Sequence, residues 1–201
     1  MGTANRVERA KGRVVRGRDP LGSAPKTEPA SGRRVRYAVA MSLDGYIAGP
    51  QGEADWIIMD PEIDFRAFFD QFDTFLIGRR TFEGMGGKGG GGTAGKKTLV
   101  FSRTLRQSDY PKVTIVSERP EEALAALRAE PGKDIWLFGG GSLFGSLLDA
   151  GLVDTVEVGI IPVLLGGGLP LLPSPAKRAK LKLISHRVYQ SGIVSLEYAV
   201  Q

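Results

Sequence analysis

FGGGSLFGSLLDAG, residues 138–151, sets three consecutive glycines between the end of an apolar run and a helical pattern. Gly139, Gly140 and Gly141 let the backbone adopt positive φ and let another group approach the main chain closely. Ser142 is the expected N-cap, and Leu143, Phe144, Leu147 and Leu148 form a helical apolar stripe that Gly151 ends. A helix N-terminus carries unpaired N–H groups and partial positive charge, which suits an anion such as a phosphate. A tight turn from strand to helix accounts for the same glycines with no ligand at all. Either way, the stretch is a strand handing over to a helix.

Working outward, the same handover recurs. VRYAVAM (35–41), TFLIG (74–78), KTLVFS (97–102), VTIVS (113–117), DIWLFG (134–139), VDTVEVGII (153–161), LKLISHRVYQ (181–190) and GIVSLEYAV (192–200) are eight short runs rich in β-branched or aromatic residues. Several are nearly continuous in apolar residues, as strands covered on both faces are. Helical patterns fall between them at Pro61–Phe72, from Thr81 onward, at Pro120–Ala129 and at Ser142–Ala150. In the first, Asp60 is the expected N-cap, and Phe65, Phe68, Phe69 and Phe72 repeat at helical spacing. Alternating strands and helices predict an α/β sheet with helices packed on it.

Composition narrows the chemistry. The 201 residues are 42% hydrophobic, enough for one sizeable core, and contain no run of eighteen apolar residues for a membrane span. There is no cysteine and a single histidine, His186, so neither a thiolate nor a histidine-built metal site is expected, and no metal is predicted. The lack of cysteine fits a reducing cytoplasm. His186 lies in a strand-like run and reads as an ordinary strand residue. The net charge of +5 is uneven: residues 1–36 carry +7 and the remainder −2. Residues 1–34, rich in Arg, Gly, Pro and Ser, are expected to be a disordered basic leader, with the folded domain at 35–201. No aromatic residue is interleaved there for base stacking, so nucleic-acid binding is not favoured.

Three further stretches resemble ligand-facing turns. AVAMSLDGYIAG (38–49) runs a strand into a turn where Asp44 serves either chemistry or the turn itself. FLIGRRTFEG (75–84) ends a buried strand at Gly78 and opens a helix with Arg79, Arg80 and Thr81, a good set of donors for an anion. TLVFSRTL (98–105) brings Ser102 and Arg103 to another strand end, where ligands of α/β sheets collect. The Gly-rich stretch 84–96 reads as a surface loop, since it lacks the spacing of a P-loop.

In this order, SLDGYIAG, DW, IGRRTFEG, FSR, FGGGSLF and PVLLGGGLPLL resemble the dihydrofolate-reductase-like superfamily, in its bacterial branch related to the reductase domain of riboflavin biosynthesis. The resemblance spans about Val35 to Val200. It implies a mainly parallel eight-stranded sheet with flanking helices, and NADPH as cofactor. It further implies that Ala40 and Ile47 present backbone groups to the nicotinamide carboxamide. Gly78, Arg79, Arg80 and Thr81 would hold phosphate around the adenosine half, and Ser102 and Arg103 the 2′-phosphate. Gly139, Gly140, Gly141, Ser142, Leu143 and Phe144 would pack the pyrophosphate. On the substrate side, Asp64 and Phe68 have the spacing of a carboxylate with an aromatic over a heterocycle, Asp55 and Trp56 lie in the loop over the nicotinamide, and Asp44 is a second catalytic candidate. A solvated helix position explains Asp64 equally well. The activity implied is reduction of a small heterocyclic or ribosylaminopyrimidine-like substrate, as in 5-amino-6-(5-phosphoribosylamino)uracil reductases; the alternative is a non-catalytic NADPH-binding protein. The expected partners are a small-molecule substrate and a second copy in a homodimer, with no membrane.

Overall fold

A computed structural model describes residues 32–87 and 95–201. In chain order the elements are β1 (Val35–Ser42), β2 (Tyr46–Ala48), α1 (Phe65–Phe69), β3 (Phe72–Gly78), α2 (Arg79–Gly84), β4 (Lys97–Phe101), β5 (Thr114–Val116), α3 (Pro120–Ala129), β6 (Asp134–Gly139), α4 (Gly141–Asp149), β7 (Thr155–Ile161), β8 (Leu169–Pro170), β9 (Leu181–Val188) and β10 (Val194–Val200). Eight of the strands form one sheet in the order β5-β4-β3-β6-β1-β7-β10-β9. It is parallel from β5 to β7, and β10 and β9 join antiparallel. All eight apolar runs of the sequence are strands of this sheet. The pair β2-β8 is an addition that its short, mixed sequence did not announce.

Alternating residues of each central strand feed two cores. Val35, Tyr37, Leu76 and Leu137 join Leu124 and Leu127 of α3 and Phe144 and Leu147 of α4 on one face. Ala38, Phe75, Ile77 and Trp136 join Phe72 and Phe82 on the other, with Phe68 packed against them. Burial on both faces is why these strands read as unbroken apolar runs.

Two helix boundaries differ from expectation. The first helix is α1 alone, and its N-cap is Asp64, which accepts a hydrogen bond from the Ala67 N–H at 2.9 Å. Asp60 is buried instead, accepting from the N–H groups of Glu62 at 2.8 Å and Ser191 at 3.2 Å, and so ties this segment to the β9–β10 turn. Phe72, which fits the helical spacing, opens β3 because its ring stacks on Trp136 within the second core. In α4 the N-cap is Gly140 rather than Ser142, which is exposed and makes no capping bond.

The domain also begins earlier than Val35. Arg33, only 7% exposed, donates to the carbonyls of Lys133 (2.7 Å) and Leu127 (3.3 Å), to the Thr74 hydroxyl (2.7 Å) and to Asp73. Arg34 pairs with Asp134, and Arg36 holds Glu157 through two bonds of 2.6 and 2.7 Å. These arginines fasten β1 to the N-terminal ends of β3, β6 and β7. The rest of the expected leader, residues 1–31, lies outside the described residues, as do residues 88–94 of the Gly-rich stretch. Arg33→Ala leaves buried acceptors unpaired and is expected to cost about 3 kcal/mol. Deletion of residues 1–31, which carries none of these bonds away, should leave the melting temperature unchanged. Equal losses in the two thermal melts would contradict a domain start at Arg33.

Candidate active site

The C-terminal ends of β1, β3, β4 and β6 share one edge of the sheet because these strands are parallel. At that edge Gly78 is paired with Phe101 and Ile77 with Gly139, which sets the turns after β3, β4 and β6 side by side. The glycines of the β6–α4 turn have separate reasons. Gly139 has φ +139°, in the region that favours glycine. A Cβ on Gly141 would come within 2.8 Å of the Pro170 carbonyl oxygen and 3.1 Å of that of Leu171. At Gly140 a Cβ would meet the Thr81 hydroxyl at 3.2 Å. The Thr81 hydroxyl, the backbone of Gly78, Gly139 and Gly140, and the start of α4 thus lie together at this edge. The first backbone bond of α4 runs from the Phe144 N–H to the Gly140 carbonyl, so the N–H groups of Gly141, Ser142 and Leu143 have no acceptor within the helix. These three donors at a helix start are of the kind that suits a phosphate.

The guanidinium groups around them differ. Arg79 is paired with Glu83 at 2.9 Å, one turn along α2. Arg80 and Arg103 are exposed, and neither makes a side-chain hydrogen bond among the described residues. The Ser102 hydroxyl accepts from the N–H groups of Leu105 (3.0 Å) and Thr104 (3.2 Å), so it shapes the turn that presents Arg103.

Beside this edge, Ala40 of β1 is paired with Gly159 of β7, and Gly159 with Ser195 of β10. Cross-strand partners share a face, here that of Ala38 and Trp136. A Cβ on Gly159 would meet nothing within 4 Å, so the floor of small residues is open above. Phe138 and Trp136, with ring centroids 4.9 Å apart, stand next to it, and Phe68 lies edge-on to Trp136 at 5.2 Å. Phe68 is therefore built into the aromatic cluster and supports this wall. The sequence signal for Gly159 is a glycine inside a strand, which marks a close approach of another group.

The carboxylates are held in distinct ways. Asp44 accepts from the Ser42 hydroxyl (2.6 Å) and from the N–H groups of Gly166 (2.7 Å) and Leu165 (3.1 Å). The Ser42 hydrogen bond is the main cause holding its pKa below the ordinary value, helped by the two backbone donors. An ionised, triply bonded carboxylate is a poor proton donor, and Asp44 acts as an anchor between the turn after β1 and residues 165–166. Glu157, on the face of the floor, is engaged by Arg36 and Thr155. Asp64 holds only the Ala67 N–H, through one oxygen. In the loop before α1, Asp55 is exposed, while the half-buried Trp56 ring donates to the Glu53 carbonyl at 3.1 Å. Ile47, in β2, lies across from β8. No helix is long and apolar enough to cross a membrane, and no three acidic or histidine side chains are grouped to hold a metal ion, among the described residues.

The family model described as the RibD C-terminal domain matches residues 33–195, starting at the arginine where the fold itself starts. The chain belongs to the RibD C-terminal domain family. It is 38% identical over 178 residues to the uncharacterized protein YyaP of Bacillus subtilis (strain 168), covering 83% of this chain and 94% of that one. Its structure is similar, with TM-score 0.71 and 26% identity, to a protein from Shewanella sp. PV-4 described as a riboflavin biosynthesis protein, covering 84% of this chain and 99% of the other. A dihydrofolate reductase from Enterococcus faecalis, solved with NADP(H), shares the fold at TM-score 0.62 and 20% identity, covering 84% and 96% of the two chains. The RibD C-terminal domain family is reductase-like.

Because the folded pKa of Asp44 is lowered, its stabilisation is present above the ordinary carboxylate range and fades as pH falls through the folded value. Asp44→Ala is expected to melt below the wild type at pH 7. The gap should narrow once the pH drops below ~4. A gap independent of pH in thermal melts would show that Asp44 does not anchor through its charge.

Proposed function

We propose that this RibD C-terminal domain protein is a cytoplasmic, NADPH-dependent reductase of a small planar heterocycle, of which ribosylaminopyrimidines are the leading class. The observation that carries the reading is the set of free helix N–H groups at Gly141–Leu143, next to Gly78 and Thr81, at the edge beside an open floor of Ala40, Gly159 and Ser195. When bound, NADPH supplies the hydride. The residues supply position: α4 and Thr81 for the pyrophosphate, Arg103 with Arg80 for the adenosine phosphates, and the backbone of Ala40 and Ile47 for the carboxamide. The small floor lets a flat ring lie against the sheet, with Phe138 and Trp136 at its side. Ordering both molecules over one floor and excluding water accounts for the rate enhancement expected of such a site.

A proton must also reach the substrate. Asp44 and Glu157 are engaged by several donors, whereas Asp64 keeps one oxygen without a partner among the described residues. We assign proton delivery to Asp64, and its substitution by asparagine is a discriminating change because Asn caps a helix as well as Asp does. The test follows NADPH oxidation by wild type and Asp64→Asn against pterins, ribosylaminopyrimidines and small carbonyl compounds. Wild type should turn over a heterocycle, and the variant should melt and bind NADPH alike but lose roughly 10²–10⁴ in turnover. Unchanged turnover would place the proton with water. NADPH binding without turnover of any compound would leave the chain a nucleotide-binding protein.

A further inference from the structure

The turn between β9 and β10 lies at the same edge as the ends of β1 and β7, because Val194 opens β10 opposite Ile160. It is tight and well seated. The Gly192 N–H donates to the Tyr189 carbonyl at 3.0 Å, and the Tyr189 N–H to the Ile193 carbonyl at 2.9 Å. Ile193 is buried, and a Cβ on Gly192 would touch the Pro162 ring just past β7. From this turn β10 runs onto the floor at Ser195, whose partners are Gly159 on one side and Arg187 on the other. Ala40, Gly159, Ser195 and Arg187 thus form one row across four strands, on one face.

The segment leading into α1 is fastened to this turn. Asp60 is buried although it is a carboxylate, and it accepts from the Ser191 N–H at 3.2 Å, 131 residues away in sequence. The Ser191 hydroxyl is the first cause holding its carboxyl below the ordinary range, followed by the Glu62 N–H, and burial does not overcome them. A second link joins Glu62 to Arg187 at 3.0 Å, with the guanidinium 4.6 Å from the Tyr189 ring centroid. Both side chains of that pair are half-exposed, and exposed ion pairs contribute little. The fastening rests on Asp60.

A continuous set of turns carries this hold forward. The Asp60 side chain accepts from the Glu62 N–H and its carbonyl from the Ile63 N–H at 3.1 Å, with Pro61 fixing φ between them. The Phe65 N–H then returns to the Ile63 carbonyl at 2.9 Å, and Asp64, enclosed by that bond, caps α1 at Ala67. Helix α1 has five residues, none of them fully buried, and a single turn does not hold itself in place. We propose that Asp60 is a positioning residue: by clasping the β9–β10 turn it sets Asp64, at the head of α1, relative to the floor of Ala40, Gly159 and Ser195. This role presupposes the assignment of proton delivery to Asp64. Without the Asp60 carboxylate the Ser191 and Glu62 donors lose their acceptor and the 60–65 segment moves off the turn. The nucleotide side, built on β3, β4 and β6, keeps its geometry.

The test compares wild type, Asp60→Ala, Asp64→Asn and the double variant in turnover, NADPH binding and hydrogen exchange. Asp60→Ala is expected to bind NADPH like wild type and to lose roughly ten- to a hundred-fold in kcat. Added to Asp64→Asn it should cost nothing more, because a residue that acts only through another is not additive with it. Exchange of the Glu62, Ile63 and Ala67 amides should quicken roughly ten-fold or more in Asp60→Ala, with the amides of β3 and β6 unchanged. Ser191→Ala removes one donor from the far side of the clasp and should give a weaker form of the same pattern, whether or not Asp60→Ala folds. Additive losses in the double variant would overturn the proposal, and so would unchanged exchange at Ala67. A wild type without turnover, or Asp64→Asn at full turnover, sinks the proposed function instead. Exchange at Ala67 then decides the clasp alone: quickened exchange upholds it and unchanged exchange removes it.

Discussion

A parallel strand pair cannot be closed by a hairpin, and this constraint organises the protein. Five of the seven pairings in the main sheet are parallel, so each of those strands must be re-entered from the same end after a return over a face. The returns supply α3 and α4 on one face and the aromatic segment with α1 and α2 on the other. Every turn that leaves a strand therefore gathers at one edge. The cradle of glycines and helix N–H groups is a consequence of that gathering, not a separate invention.

The opposite edge carries the compensating work. Burial acts against the Arg36 charge, but hydrogen bonds and charge from Glu157 and Asp134 outweigh it and hold the guanidinium above its ordinary pKa. The same balance lies in favour of ionised Asp134, where Arg34 overcomes the effect of burial. With Arg33 and the Arg128–Asp154 pair, these bonds clasp strand starts that come from distant parts of the chain. The charged clasp fixes the strands at one edge; at the other, no ion pair joins strand ends among the described residues, and turns are shaped by glycines and by single anchors such as Asp44. Removing one partner from such a buried pair costs more than the pair contributes relative to apolar residues, so its role is to fix register.

Much of this was legible in the sequence, for physical reasons that differ by element. The eight strands could be read because burial on both faces leaves long apolar runs, and the β6–α4 turn because three glycines have no other use there. The first helix reads too long because Phe72 satisfies helical spacing while its ring belongs to the aromatic cluster around Trp136. Arg33 and Arg34 were assigned to a basic leader because their acceptors, at Asp73 and Asp134, are 40 and 100 residues away. Asp44 reads from the sequence as either chemistry or a turn residue, and its bonds to Leu165 and Gly166, which a distant loop brings to it, are not legible there. Gly159 went unnoticed because one glycine within a strand gains meaning only when Ala40 and Ser195 are known to flank it.

On the proposed function, the edge formed by Gly78, Thr81, Arg103 and the β6–α4 turn holds a phosphorylated dinucleotide. Isothermal titration of NADPH and of NADH into the wild type and into Arg103→Ala tests it most directly. NADPH should bind the wild type more tightly than NADH, and Arg103→Ala should weaken NADPH roughly ten- to a hundred-fold while leaving NADH nearly unaffected, since a hydrogen bond to a charged group is worth about 1.5–3 kcal/mol. Absence of binding by either nucleotide, or equal losses for both in the variant, would contradict the account.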